Sequence, residues 1–208
     1  MALFDAFLKL DGIKGESADS KHKGEIDIMS FSWGMSQTGV SATGGGGGAG
    51  KVHVHDLVIT KKTDASSPLL FLNCANGAHI KEATLVVRKA GGTQLEYLKI
   101  KLTDVLVSSY KPAGSTLPAD AQSVFEIDDF SFDIEQTLNI GSQSSGAGAG
   151  KVSFNPFSVL EGADEIPVEE VTLNFAKVEF NYQAQGADGR PQGGPIVAGW
   201  DVKGNVKI

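Results

Sequence analysis

Three clusters of residue types in this chain have the make-up of chemical sites. Gly45 to Gly50 runs into Lys51, the composition of a phosphate-binding loop, where backbone N–H groups and a lysine cradle phosphate and a following Ser or Thr holds magnesium. Here Val52 follows the lysine and the pattern beyond it reads as strand instead of helix, so a flexible hairpin tip is the better reading. His53 and His55 stand two apart on a strand and share a face, the spacing of a metal pair. His22 and His79 lie far off in sequence and Asp56 should point to the opposite face, so no third ligand is identifiable and solvated or interface histidines are favoured. Glu126, Asp128, Asp129, Asp133 and Glu135 are dense enough for calcium, yet they follow no calcium-loop spacing and alternation spreads them over both faces of one strand. Cys74 lies in an apolar segment with no histidine beside it and reads as packed, not nucleophilic. No serine sits in a Gly-x-Ser-x-Gly elbow. No active site assembles from these parts. The residues assign no catalytic, cofactor or metal position, and the chain reads as something other than an enzyme.

The elements around them are mostly strands, because apolar residues recur with period two. Phe4, Ala6, Leu8 and Leu10 alternate with Asp5 and Lys9; Ile26 and Ile28 share one face, while Met29, Phe31 and Trp33 share the other. Val52 and Val54 alternate with the two histidines, and that strand is expected to continue through Leu57, Val58 and Ile59. Leu98, Ile100 and Leu102 precede the apolar run Val105 to Val107. Phe130, Phe132 and Ile134 form a further set. Val171, Leu173 and Phe175 give way to Val178, Phe180 and Tyr182, a change of face at Ala176 that predicts a bulge or a strand covered on both sides. Trp200, Val202, Val206 and Ile208 end the pattern. One helix is predicted over about 67–77: Ser67 as N-cap, Pro68 at the first helical position, Gly77 as terminator. Leu69, Leu70, Phe71 and Leu72 make it apolar on nearly every side, which predicts a mostly buried helix plugging a barrel end. Many short strands joined by Gly-rich connections point to a mainly β fold, a barrel or sandwich.

Composition narrows the functional classes. The chain has 208 residues, one cysteine, and 18 basic against 25 acidic residues, a net charge of −7. That balance disfavours a nucleic-acid binder. No apolar run approaches the ~20 residues that span a bilayer, so no membrane insertion is expected. The N-terminus has no basic n-region and Asp5 and Lys9 interrupt its apolar stretch, so it reads as a first strand in place of a signal peptide. A single cysteine is consistent with folding in a reducing cytoplasm.

An internal repeat organises the chain. Glu25-Ile-Asp27 with Ser30-Phe31 recurs as Glu126-Ile-Asp128 with Ser131-Phe132, and Gly48-Ala-Gly-Lys-Val52 recurs as Gly148-Ala-Gly-Lys-Val152. Each copy reads as strand, Gly/Ser-rich stretch, strand: a duplicated hairpin with a flexible tip, at Gly44 to Gly50 and at Gly141 to Gly150. Such tips bury no side chains of their own and are expected to be ordered by a partner. The first hairpin, Glu25 to Thr60, is therefore expected to meet a partner through Gly44, Gly45, Gly46, Gly47, Gly48, Ala49, Gly50, Lys51, His53 and His55, and the family resemblance carried by the segments that follow implies that this partner is a neighbouring subunit or a stacked ring. The rival reading is a secreted β-sandwich module for carbohydrate or calcium, centred on the acidic strand at 126–135.

Specific segments carry a family resemblance. Phe7-Leu-Lys-Leu-Asp-Gly-Ile-Lys-Gly-Glu16, Ser20-Lys-His22, Phe31-Ser-Trp-Gly34, Asn76-Gly-Ala-His79, Val87-Arg-Lys-Ala-Gly-Gly92, Glu96-Tyr-Leu98, Val105-Leu-Val-Ser-Ser109 and Val171-Thr-Leu-Asn-Phe-Ala176 resemble the haemolysin-coregulated protein (Hcp) family. The resemblance runs over roughly 1–115 and 167–208, leaving an inserted, duplicated strand-loop-strand segment at about 116–166 within a single 1–208 domain. It implies an Hcp-like, phage tail-tube-like β-barrel with one short helix. It further implies hexameric rings that stack into the tube of a bacterial type VI secretion system, with a spike protein, a contractile sheath and effector proteins as partners. By the same resemblance the chain is cytoplasmic before assembly and leaves the cell through the apparatus, without a cleaved signal peptide.

Overall fold

The computed structural model describes residues 4–39, 49–89, 94–114, 166–186 and 189–208. The tip at Gly44 to Gly48, the second hairpin and its acidic strand, and all but the last residue of the inserted segment lie outside them. The described residues form eleven strands and one helix. The strands are β1 (Phe4–Leu10), β2 (Ile26–Ile28), β3 (Ser30–Ser32), β4 (Met35–Gly39), β5 (Ala49–Val54), β6 (Leu57–Lys62), β7 (His79–Lys89), β8 (Glu96–Ala113), β9 (Val168–Tyr182), β10 (Ile196–Asp201) and β11 (Val206–Lys207), with α1 (Ser67–Asn76) between β6 and β7.

Antiparallel pairing runs in a circuit. β1 pairs with β7, β7 with β8, β8 with β9, and β9 with β6. The circuit returns through one bent segment: β2 pairs with β1, β3 pairs with β6, and between them the Met29 N–H donates to the Thr60 carbonyl at 2.8 Å. This closes a barrel of six members, which settles the choice between barrel and sandwich that the period-two patterning left open. The corner at Met29 also re-aims the side chains. Ile26 and Ile28 are buried as expected, but Phe31 and Trp33, assigned to the opposite face, pack against the same core.

The alternation read from the sequence fills the interior. Leu8, Ile26, Leu57, Ile59, Leu85, Ile100, Leu102, Val171 and Leu173 are fully or almost fully buried there. The change of face in β9 is present, and β8 makes the same change at the same level. Leu102 and Val178 face the core on one side of it and Val105 and Phe175 on the other, with the Thr103–Lys177 and Val105–Phe175 rungs in unbroken register. Asp104, between these rungs, has φ +56, a left-handed conformation uncommon for a residue with a side chain. The register slips further along, where Ser108 is the extra residue between Val107 and Ser109.

Two sequence expectations need correction. The strand expected to run from Val52 through Ile59 is two strands in separate sheets, because the His55 carbonyl accepts a hydrogen bond from the Trp33 indole (3.1 Å) and Asp56 is drawn to Ser108 and Asn174. The helix spans the expected residues and ends at Gly77 in a left-handed conformation (φ +65), but it is neither capped by Ser67 nor mostly buried. Ser67 is its first helical residue; the cap position belongs to Ser66, whose carbonyl accepts the N–H of Leu69 and Leu70. Only Ser67 and Leu70 are buried within it, and Leu69, Phe71 and Leu72 are 42%, 60% and 51% exposed. A single stripe, Leu70 with Cys74 one turn on, meets the core, so α1 is buried along one side only.

Replacing Leu102 by alanine should destabilise the barrel by about 2–5 kcal/mol through lost burial and the cavity left behind. Urea unfolding of the purified protein reads this as a lower midpoint with an unchanged slope.

Candidate functional site

Glycine and β-branched residues make the first hairpin. β4 and β5 pair as a two-stranded sheet of their own, Met35 opposite Val54, Ser36 opposite His53 and Gln37 opposite Val52, with a register shift before the Gly39–Ala49 rung. Of the expected tip, Ala49 and Gly50 belong to the strand β5. At the base of this arm the His55 N–H donates to the Gly34 carbonyl (3.0 Å), and the Trp33 ring lies 6.3 Å from Phe175 and 6.4 Å from Phe180. Trp33 therefore ties the arm to the barrel by its indole hydrogen bond and by its ring. Lys51 and His53 are exposed on the arm.

The His53 and His55 rings meet at 4.8 Å, on one side as their spacing requires. Asp56 turns elsewhere: its carboxylate accepts the Ser108 hydroxyl (2.6 Å) and the Asn174 amide (2.8 Å). His79 is bonded to Asp104 (2.6 Å), and His22 to Glu25 (2.8 Å). Among the described residues no three His, Cys, Asp or Glu side chains converge as metal ligands.

Two buried polar clusters escaped the sequence reading. In the first, the fully buried Lys61 ammonium meets Glu169 Oε2 at 3.0 Å and Asp64 Oδ1 at 2.8 Å, and donates to Ser67 Oγ (3.1 Å) and the Lys62 carbonyl (2.7 Å). The Ser67 hydroxyl donates to Glu169 Oε2 (2.8 Å) and the Tyr110 hydroxyl to Glu169 Oε1 (2.8 Å). Burial, with Glu169 beside it, pushes Tyr110 up to about 12. A serine and a lysine in contact have the composition of a nucleophile and its base. Here the lysine nitrogen is already bonded to Glu169, Asp64 and the Lys62 carbonyl, and the serine hydroxyl donates to Glu169 instead of to the lysine, which is not the geometry of a nucleophile bonded to its base. The cluster clamps the start of α1 to β6, β8 and β9. Its signal was parity: Lys61 falls two residues after Ile59, and Glu169 two before Val171, each on the inward face of its strand.

The second cluster lies on the outer side of β1 and β7, under the loop 13–25. Buried Arg88 bonds Asp5 Oδ2 (2.9 Å) and Asp19 Oδ2 (2.8 Å), and its guanidinium stands 4.9 Å from the centre of the Phe7 ring. Phe7 stacks on the buried His22 ring at 4.2 Å. The loop is drawn tight at Gly15, where a Cβ would lie 2.4 Å from the Glu25 carbonyl oxygen, a place only glycine fills. The Arg88 hydrogen bond holds Asp19 down at about 2. Both clusters join elements that the chain itself separates widely.

Comparison with known proteins places this barrel, with its arm and clamped helix, in a family. The family model described as type VI secretion system effector, Hcp, matches residues 7–124. The chain is 40% identical over 204 residues to protein hcp1 of Pseudomonas aeruginosa, covering 98% of each. Among solved structures it is similar to Hcp1 from Salmonella typhimurium (33% identity, TM-score 0.65, all of both chains) and to a type six secretion system protein (25% identity, TM-score 0.73, 99% of both). The chain belongs to the Hcp family of type VI secretion, a family of structural, secreted proteins.

Asp19 has a depressed folded-state pKa, so its contribution to stability is present above the ordinary carboxylate range, near pH 4, and is lost as the pH falls toward 2. Asp19→Asn should lower stability by a constant amount above pH 5, and the difference from the parent protein should shrink as the pH falls through 4 toward 2 and vanish below about 2 in acid titrations followed by circular dichroism. Lys61→Met should cost about 3–5 kcal/mol, because it strands the buried Glu169 carboxylate; adding Glu169→Leu should recover much of that loss in thermal unfolding.

Proposed function

We propose that this chain is a tube subunit. Copies join head to tail into closed rings of six, the rings stack into a hollow tube, and the tube conveys effector proteins in its lumen. A contractile sheath drives it outward behind a spike protein, so the protein is cytoplasmic before assembly and secreted through the apparatus. A ring of this kind needs a heterologous contact that closes by rotation, and no catalytic residue.

The arm carries this reading. A two-stranded sheet is marginal by itself in water, and β4 and β5 pair only with each other, so each leaves an outer edge open among the described residues. An open strand edge is a template for another chain, and a closed barrel offers few others. The arm therefore acts as a contact to the next subunit or the next ring. Its residues are Gly44 to Gly50, Lys51, His53 and His55, with the glycines adapting the backbone to the neighbouring surface. Because rings must form and part, this contact is moderate and polar, which suits the exposed Lys51 and His53.

Deleting residues 44–50 should leave the melting temperature of the monomer within a few degrees and abolish tube formation seen by negative-stain electron microscopy. A deletion variant that still forms tubes and is secreted at the parent level would refute the assignment.

A further inference from the structure

Six of the large apolar side chains that remain exposed among the described residues stand on two surfaces at opposite ends of the β8–β9 ladder. The first is on α1. At about 100° per residue, Phe71, Leu72 and Leu69 occupy a continuous arc on the side away from Leu70 and Cys74, which face the core. The second is where β9 and β10 run on past the barrel. Tyr182 is opposite Ile196 and Phe180 opposite Ala198, so these side chains share one face, with Ile196 68%, Tyr182 44% and Phe180 38% exposed. That face has the same parity as Val178, which is buried in the core, so it continues the barrel's apolar side beyond its cover.

The positions of the two surfaces suit a head-to-tail contact. Phe71 meets Tyr110 near the end of β8 (ring centres 6.1 Å apart), whereas Tyr182 pairs with Leu98 near its start. Twelve residues of strand separate them, about 40 Å of extended chain. Each surface exposes roughly 300 Å² of apolar area; buried together with a normal polar share they make an interface of about 1,000 Å², the threshold for a specific contact. Aromatic residues stand on both, Phe71 on one side and Phe180 and Tyr182 on the other, the residue class that anchors interfaces. Phe180 also touches Trp33 at the base of the arm, so the second surface is continuous with the contact assigned to β4 and β5.

We infer that the α1 face of one copy of this chain seats on the Phe180–Tyr182–Ile196 face of the next. The inference rests on the ring reading above and names the surfaces that close the ring. The two surfaces are different, so each subunit presents one of each and the contact propagates around the ring instead of ending in a dimer.

Light scattering after gel filtration tests this with two variants, one carrying Leu69→Asp and Leu72→Asp, the other Ile196→Asp. All three positions are exposed, so both variants should keep the parent circular dichroism spectrum and melting temperature; Phe71→Ser serves in place of the helix pair if that pair unfolds. Each variant alone should be monomeric at concentrations where the parent forms rings, its assembly midpoint raised about 30-fold or more. Mixed one to one, they should form a dimer and nothing larger, because the intact helix of one meets the intact strand face of the other while the two outer surfaces are blocked. Parent-like rings from both variants would overturn the surface assignment and leave the ring reading standing. Variants that stay monomeric when mixed, or that mix into larger species, would overturn the pairing. A parent protein that remains monomeric at every concentration would overturn the ring reading and this inference with it.

Discussion

Closure of the barrel is the constraint from which the rest of the structure follows. Once β1, β7, β8, β9, β6 and the bent β2–β3 segment have paired in a circuit, their backbone groups are satisfied by each other. Among the described residues, the β4–β5 arm, α1, the loop 13–25 and the extension of β9 with β10 and β11 stand outside the circuit.

Separate devices fix the outlying elements to the barrel. An indole that is hydrogen-bonded and packed between rings holds the arm. A buried ammonium between two carboxylates holds the helix start. An arginine shared by two aspartates, with its cation over Phe7, holds the loop 13–25. Charges buried in this way contribute little net stability once desolvation is counted, but a misplaced one is costly. They therefore favour a single placement of each element over its near alternatives. In the ring proposed above that precision matters, because errors of angle between identical subunits would accumulate.

Much of this was legible in the sequence because barrel strands carry their inward residues at every second position. Ile26 and Ile28 on β2, Ile100 and Leu102 on β8, and the face change near Ala176 could be read directly, and so could the helix boundaries, from Pro68 and Gly77. The exposure of α1 was not, since Leu69, Phe71 and Leu72 look like core residues until the surface they face is known. The break after Val54 was hidden for a similar reason. It depends on a hydrogen bond from Trp33, 22 residues away from its acceptor, and no local pattern encodes that. The Lys61–Glu169 pair joins positions 108 apart; parity placed each inward, but nothing local joined them. The arm residues were identified from glycine content and from a family resemblance, which speak to adaptability and kinship and not to geometry.

β9 has a temporal consequence. It is the last long strand in the chain, yet it pairs with β6 and β8 along one half and with β8 and β10 along the other. Until the ribosome has released residues beyond Tyr182, β6 and β8 wait with bare apolar flanks, and the interior cannot dry. Between the completion of β8 and the release of Tyr182 a nascent chain therefore holds an open sheet, and its closure is a late step that many distant contacts must make together.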